Sequence, residues 1–156
     1  DSGILFSPVI HDGNSQSSRE EADRIVELTA ELLASTLMTV DGPRPVVISD
    51  ILFVAPYNMQ VRLLRETLPA GAKVGSVDKF QGQEAPILIL SLCASAGEYG
   101  SRGLGFILDR NRINVAISRA QTLAIVVSDP RIANGDIGSV EEMRLVNVFC
   151  KLRGVG

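Results

Sequence analysis

The sequence is poor in metal ligands and thiols, with one histidine, His11, and two cysteines, Cys93 and Cys150. A single histidine provides no basis for a zinc cluster. The two cysteines are far apart and lie in apolar contexts. We therefore expect buried free thiols in a cytoplasmic protein rather than a disulfide or a metal pair.

Long apolar runs and an excess of positive charge are also missing. No run approaches the roughly 18–20 apolar residues that span a bilayer. The 15 Lys and Arg residues against 18 Asp and Glu, a net charge of −3, argue against a strongly basic nucleic-acid coat and leave room only for a local basic groove. The start, DSGILFSPVI, has neither an initiator Met nor a signal-peptide pattern, so we expect a piece of a longer protein.

Glycine-rich nucleotide motifs are absent as well. There is no GxxxxGK[ST] phosphate loop, and no apolar strand ends in a pair of carboxylates. The glycines of GSRGLG (100–105) lack the G-x-G-x-x-G spacing and follow a polar loop, which disfavours a dinucleotide-binding oxidoreductase domain. The chain alone is therefore not expected to hydrolyse a nucleotide in the P-loop manner.

The segments that are present alternate between helical and strand patterns. SREEADRIVELTAELLAS predicts a helix with a solvated acidic face, capped by Ser17 with Glu20 or by Ser18 with Glu21, and DGPRP predicts a turn. Its core-facing positions have helical spacing: Ala22, Ile25, Val26, Thr29, Leu32 and Leu33. Further helices are predicted over 58–68, 113–120 and 139–154, the last with a Ser139–Glu142 capping box.

Four short apolar runs predict strands: ILFVA (51–55), KVGSV (73–77), PILILSL (86–92) and TLAIVVS (122–128). Because they do not alternate with polar residues, we expect a mostly parallel sheet with both faces covered, an α/β fold in a single domain over 1–156. Ligands of such folds bind at the carboxyl ends of the strands. That rule places residues 56–58, 78–81 and 129–130 along one edge.

Arginines gather in DRNRINVAISRAQ (109–121). On a helix, Arg112 and Arg119 share a face, while Ile113, Ala116, Ile117 and Ala120 face the sheet. Two guanidinium groups beside a buried stripe need an anionic partner. A carboxylate would give a structural salt bridge, and a phosphate would give a binding site.

A second polar stretch, VGSVDKFQGQEAP (74–86), joins two buried strands. It is longer than the roughly two to six residues of an ordinary connection. Asp78, Gln81 and Glu84 would share a face on one helical turn, and Gly82 permits a close approach or a positive φ. A capped turn with solvated polar groups explains the spacing equally well.

Together these stretches resemble superfamily-1 helicases of the B group. VGSVDKFQGQEAPILILSL looks like motif V of that family, and RNRINVAISRAQTLAIVVSDP looks like motif VI. ILFVAPYNMQVRLL is similar to the strand and helix before motif V, and SREEADRIVEL to the helix that opens the domain. The tail EEMRLVNVFCKL resembles bacterial members joined to a RecB-like nuclease.

The resemblance implies a RecA-like fold, the second of two motor domains, and site residues position by position. Arg119 matches the arginine finger that reaches the γ-phosphate of ATP, and Glu84 matches a carboxylate of the same cleft. Gln81, Gly82 and Arg112 match cleft supports. The positions matching the nucleic-acid path are Tyr57, Asn58, Ser76, Val77 and Asp78.

The family also implies cofactors and partners. ATP with Mg²⁺ would be bound mainly by a first RecA-like domain of the same polypeptide. A single strand, DNA rather than RNA, would be the substrate, with 5′ to 3′ as the family's usual direction. The alternative is a non-catalytic docking module for nucleic acid or protein, which the intact Arg119, Glu84 and Gln81 disfavour.

Overall fold

The computed structural model describes residues 3–13, 16–76, 78–80, 82–93 and 115–129. Five parallel strands form one sheet in the order β1-β7-β6-β4-β5. They are β1 (Gly3–Pro8), β4 (Ile51–Val54), β5 (Lys73–Gly75), β6 (Ala85–Ser91) and β7 (Ala120–Ser128). The parallel α/β sheet predicted from the apolar runs is confirmed. The predicted helix over 139–154 lies outside the described residues.

Two helices pack on one face of this sheet, α1 (Arg19–Leu33) and α2 (Asn58–Thr67). They share one apolar cluster with the sheet, formed on the helix side by Ala22, Ile25, Leu28, Val61 and Leu64 and on the sheet side by Ile51, Phe53, Ile87, Ile89, Ile125 and Val127. The alternate strand positions, such as Leu52, Leu88 and Val126, are at most 1% exposed. Burial of both sets explains why the strands read as continuous apolar runs.

Helix α1 begins one residue after its N-cap, Ser18, whose Oγ accepts the Glu21 backbone N–H at 3.1 Å. The structure thus selects Ser18 over Ser17. The capping box is nevertheless wrong in its second half, because the Ser18 N–H donates to Gln60 Oε1 at 2.7 Å instead of to Glu21. The solvated acidic face is also wrong at Glu21, which is fully buried, whereas Glu20 and Asp23 are exposed.

The predicted DGPRP turn is part of an antiparallel hairpin, β2 (Thr36–Thr39) and β3 (Gly42–Pro45). Pro43 and Pro45 argued against a strand, but β3 pairs only with β2, and proline is tolerated on an edge strand. Arg44 fixes the hairpin through two hydrogen bonds to the Asp50 carboxylate, at 2.7 and 2.8 Å. These bonds from Arg44 hold the pKa of Asp50 below its usual range.

The predicted helix over 113–120 is wrong at its end. Residues 115–118 form a helical turn, Arg119 follows it, and β7 already begins at Ala120. Pairing of Ala120 with Ala85 across the sheet replaces a further helical turn. Arg119 is therefore not part of a helix. Arg112, with which it was predicted to share a helix face, lies outside the described residues.

Candidate functional site

The predicted site residues divide between the two edges of the parallel sheet. Gly75, the last residue of β5, pairs with Val54 at the end of β4, so Ser76 lies at the carboxyl edge. Ile87 of β6 pairs with Ile51 at the start of β4, so Ala85 and the preceding Glu84 lie at the amino edge. The strand rule placed residues 56–58 and 78–81 along the carboxyl edge, and the described ones, 56–58 and 78–80, do follow the ends of β4 and β5 there. The segment 76–84 continues from this edge to the amino edge.

The carboxyl edge carries the residues predicted to contact nucleic acid. Tyr57 and Asn58 stand between β4 and α2, and Ser76 and Asp78 follow β5, the neighbour of β4. Asn58 and Asp78 are exposed, and Tyr57 and Ser76 are half-buried. Val77 lies outside the described residues. These four side chains are thus on adjacent strand ends with two of them open to solvent.

Gly75 and Lys79 fix the start of the motif V segment. The Lys79 side chain crosses Gly75 so closely that a Cβ there would lie 2.4 Å from Lys79 Cδ. Its Nζ donates to the Val74 carbonyl at 3.2 Å. The absence of a side chain at Gly75 therefore lets the lysine stem lie on β5 and hold the short 3₁₀ turn Asp78–Phe80 against the sheet.

A tight turn then redirects the chain toward the amino edge. The Gln83 N–H donates to the Phe80 carbonyl at 2.9 Å, and Gly82, the third residue of this four-residue turn, has φ +80°. A type II turn requires a positive φ at that position, which glycine adopts without strain. The predicted common face of Asp78, Gln81 and Glu84 is wrong, because the turn separates Asp78 from Glu84; Gln81 lies outside the described residues.

The amino edge brings Glu84 and Arg119 into adjacent positions. Ala85 pairs with Ala120, and the Ala85 N–H donates to the Arg119 carbonyl at 2.9 Å. Glu84 and Arg119 therefore immediately precede the neighbouring starts of β6 and β7. Glu84 is exposed, and Arg119 is half-buried. The Arg119 Nε is buried and has no hydrogen-bond partner within the described part of the chain.

The sequence did not predict a set of buried polar side chains at the carboxyl edge, called here the carboxyl-edge cluster. Its members come from the ends of β1, β6 and β7 and from the first turns of α1 and α2, and each is at most 3% exposed. They are His11, Ser18, Glu21, Gln60, Ser91 and Asp129. The first and last members, His11 and Asp129, are 118 positions apart in the sequence. No local sequence pattern therefore connects the members.

Glu21 is the centre of this cluster. Its carboxylate lies 2.6 Å from His11 Nε2 and accepts hydrogen bonds from Ser91 Oγ at 2.8 Å and from the Cys93 N–H at 3.0 Å. Burial raises the pKa of Glu21 against the effect of these partners. Burial lowers the pKa of His11, but the hydrogen bond and charge of Glu21, with smaller effects of Asp129 and Glu20, outweigh it and the net change is upward.

Cys93 is the free buried thiol expected from its apolar context. Burial, and secondarily the charge of Glu21, raises the pKa of this thiol, so it is unreactive at neutral pH. Its φ of +60° is unusual for a residue with a side chain. This residue comes two positions after the end of β6, and its N–H is held by the hydrogen bond to Glu21. Cys150 lies outside the described residues.

Metal-binding clusters and membrane-spanning helices are both absent from the described residues. Across the ranges that the structure describes, no group of three or more His, Cys, Asp or Glu residues could hold a metal ion. Over the same ranges, no helix is long and apolar enough to cross a membrane.

Comparison with known proteins gives the family context. Residues 7–131 match the model of a family described as an AAA domain. The chain is 32% identical to the putative helicase mov-10-B.1 of Danio rerio over 85% of its own length and 15% of that protein. It is 36% identical to the probable RNA helicase armi of Drosophila melanogaster, over 73% and 10% of the respective chains.

A third relative is named for DNA rather than RNA. The chain is 41% identical to the DNA-binding protein SMUBP-2 of Mesocricetus auratus, over 54% of this chain and 9% of that one. The chain thus spans 15% or less of the length of these three relatives. With the five-stranded parallel sheet, these matches identify the fold as RecA-like, of the P-loop α/β class.

Proposed function

The chain belongs to the AAA domain family, and we propose that it is the second RecA-like motor domain of an ATP-dependent helicase of superfamily 1. Two relatives are named as helicases, which supports this class of enzyme. In the proposal the amino edge completes an ATP site whose phosphate loop belongs to a first domain of the same polypeptide. The carboxyl edge contacts the single strand.

The observation that carries the proposal is the state of Arg119. Its Nε is buried without a hydrogen-bond partner in the described ranges. Glu84, whose side chain is exposed, precedes the strand start that pairs beside it. A buried donor left unsatisfied costs about 1–3 kcal/mol, and a phosphate oxygen is a partner that suits a guanidinium. A structural salt bridge would satisfy that donor within the domain, and no carboxylate of the described residues does so.

Arg119 would act on the charge that develops during phosphoryl transfer. ATP with Mg²⁺ supplies the phosphoryl group and its bridging cation, held mainly by the first domain. Arg119 brings a fixed positive charge to the γ-phosphate, an effect of roughly 10³–10⁵ in rate for arginine fingers. Glu84, Gly82, Gln81 and Arg112 remain the predicted residues of the same cleft.

In the proposed motor, the chain segment that crosses from the carboxyl edge to the amino edge links the strand contact to the ATP cleft. Residues 76–84 link the proposed strand contact at Ser76 and Asp78 to the proposed cleft at Glu84. Because hydrolysis requires Arg119 from this domain, turnover depends on closure of the two domains, and closure can be used to move along a strand. The domain needs few phosphate contacts and must release them in each cycle, which is compatible with its net charge of −3.

The substrate, the nuclease and the compartment stay predictions. DNA was expected from the sequence, while the relatives include both an RNA helicase and a DNA-binding protein by name. Measuring ATPase stimulation of the full-length protein by matched single-stranded DNA and RNA decides between them. The RecB-like nuclease partner and the cytoplasmic location are tested by the full-length sequence and by localisation of the tagged protein.

The first prediction tests Arg119 in the full-length protein. Arg119→Ala should lower nucleic-acid-stimulated ATP turnover by roughly 10³-fold or more while ATP affinity changes little, because the charge acts mostly in the transition state. Arg119→Lys should restore little, since an ammonium lacks the planar fork. The measurement pairs steady-state ATPase with equilibrium ATP binding.

Thermal unfolding of the 156-residue chain provides the control for this variant. A structural salt bridge predicts a lower melting temperature and a loss of activity only in proportion to lost folded protein. An Arg119→Ala protein with unchanged stability and nearly unchanged turnover would refute the arginine-finger assignment.

A further inference from the structure

The carboxyl-edge cluster connects two parts of the proposed motor through one side chain, Gln60. The carboxamide uses both of its ends: Oε1 accepts the Ser18 N–H at 2.7 Å, and Nε2 donates to the Ser18 carbonyl at 3.2 Å and to Ser91 Oγ at 3.0 Å. Gln60 is fully buried. Ser91 extends this hydrogen-bond network to Glu21, because its hydroxyl donates to the Glu21 carboxylate.

Gln60 lies in the first turn of α2, two positions after Asn58. It is therefore rigidly attached to the helix start that, in the proposed function, contacts the single strand. The partners on the other side are the end of β6, at Ser91, and the first turn of α1, at Ser18. At its other end, β6 is bonded to Arg119 through the Ala85 N–H.

Buried hydrogen bonds of this kind resist independent movement of the elements they join. A shift of the α2 start relative to β6 would break the Gln60–Ser91 bond, and a shift relative to the start of α1 would break the two bonds to Ser18. Either shift would leave buried polar groups unsatisfied. The start of α2, the exit of β6 and the start of α1 therefore move as one unit. The apolar cluster between α2 and the sheet would by itself permit sliding, because dispersion contacts have no fixed direction.

We propose that Gln60 is a positioning residue that couples strand engagement at the start of α2 to ATP turnover at Arg119. The inference rests on the proposed function and adds a residue that contacts neither nucleic acid nor nucleotide. Strand binding at Asn58 displaces the α2 start, and Gln60 transmits that displacement to Ser91 and the strained residue Cys93. The displacement reaches Arg119 through the pairing of β6 with β7, whose first residue, Ala120, directly follows Arg119.

The test uses Gln60→Met in the full-length protein, a change that keeps the side-chain length and removes both the donor and the acceptor. We expect ATP turnover at saturating single-stranded oligonucleotide to fall about tenfold, a change of about 1.4 kcal/mol in the barrier. Turnover without oligonucleotide, and KM for ATP, should stay within about twofold of wild type. Glu66→Gln, an exposed change in the last turn of α2, is the control and should leave both rates unchanged.

A merely structural Gln60 gives a different result. Basal and stimulated turnover would then fall by one common factor, together with the melting temperature, and this would overturn the inference, as would full stimulation of a folded Gln60→Met enzyme. If Gln60→Met does not fold, Ser91→Ala decides by the same criteria, because it removes the hydroxyl between Gln60 and Glu21. Failure of the proposed function is seen separately, as the absence of stimulated turnover in wild type.

Discussion

At the residue scale, His11 and Glu21 show how a buried charge is accommodated in this fold. Both side chains are fully buried, and His11 Nε2 lies 2.6 Å from Glu21 Oε2. Burial of a lone carboxylate would be very costly, and Glu21 is tolerated because His11, Ser91 and the Cys93 N–H surround it. The pair connects the loop after β1 to the first turn of α1, which closes one end of the sheet.

This pair predicts a pH-dependent stability. The pKa of His11 and that of Glu21 are both raised, so the folded state binds more protons than the unfolded state. His11 stabilises the folded state fully at pH values below its ordinary pKa of 6.5. This stabilisation is lost as the pH rises through the raised pKa of His11 in the folded state. Urea unfolding at a series of pH values above 6.5 should show the free energy of unfolding falling with pH.

The matched variant is His11→Gln, which keeps a hydrogen-bond donor and cannot titrate. It should be less stable than wild type at pH 6.5 and show a flatter profile above it. Equal slopes for the two proteins would mean that His11 does not titrate differently in the folded state. No signal in the sequence predicted this pair, because HDGNSQSS is typical of a solvated loop and Glu21 follows the charge pattern of an exposed helix face.

At the element scale, helices α1 and α2 and four of the five strands of the main sheet could be predicted, and strand β1 and the β2–β3 hairpin could not. Helix α2 was predicted over 58–68 and spans Asn58–Thr67, because Val61 and Leu64 have helical spacing and both are buried. The hairpin β2–β3 was missed since its pairing is antiparallel and its composition is that of a turn. Strand β1 was missed as well, because GILFSP is short and its parallel partner β7 lies more than 100 residues away.

The arrangement of the predicted site residues could not be read from the sequence. The family resemblance points to Glu84 and Arg119, which stay predictions, and it does not reveal that Ala85 and Ala120 pair across β6 and β7. That pairing is a long-range contact across residues 86–119. It starts β7 two residues before the predicted strand and takes Arg119 out of the helix.

The start of α1 provides a prediction for a single element. Ser18→Ala should lower the free energy of unfolding by about 1 kcal/mol, because the Glu21 N–H loses its capping oxygen. Ser17→Ala is the matched control one position earlier, and it should change stability little, since Ser17 does not cap the helix. Urea denaturation followed by circular dichroism measures both. Equal losses in the two variants would contradict the assignment of Ser18 as the N-cap.

At the scale of the whole molecule, the sheet separates two sets of predicted site residues. The carboxyl edge bears Tyr57, Asn58, Ser76 and Asp78, and the amino edge bears Glu84 and Arg119. A module that only docks onto nucleic acid needs one of these sets. The proposed motor needs both, and the parallel strands β4, β5 and β6 join the two edges.

The isolated chain should therefore bind a single strand weakly and hydrolyse no ATP. It has no phosphate loop in its 156 residues, so turnover by the purified chain should stay at background. Its strand affinity should fall steeply with salt, because the logarithm of the binding constant changes by about 0.7 per neutralised phosphate for each unit of log salt concentration. Fluorescence anisotropy with a labelled oligonucleotide at a series of salt concentrations measures this slope. Tight binding that persists in high salt would favour the docking module instead, because such affinity requires a permanent contact surface that a translocating domain must avoid.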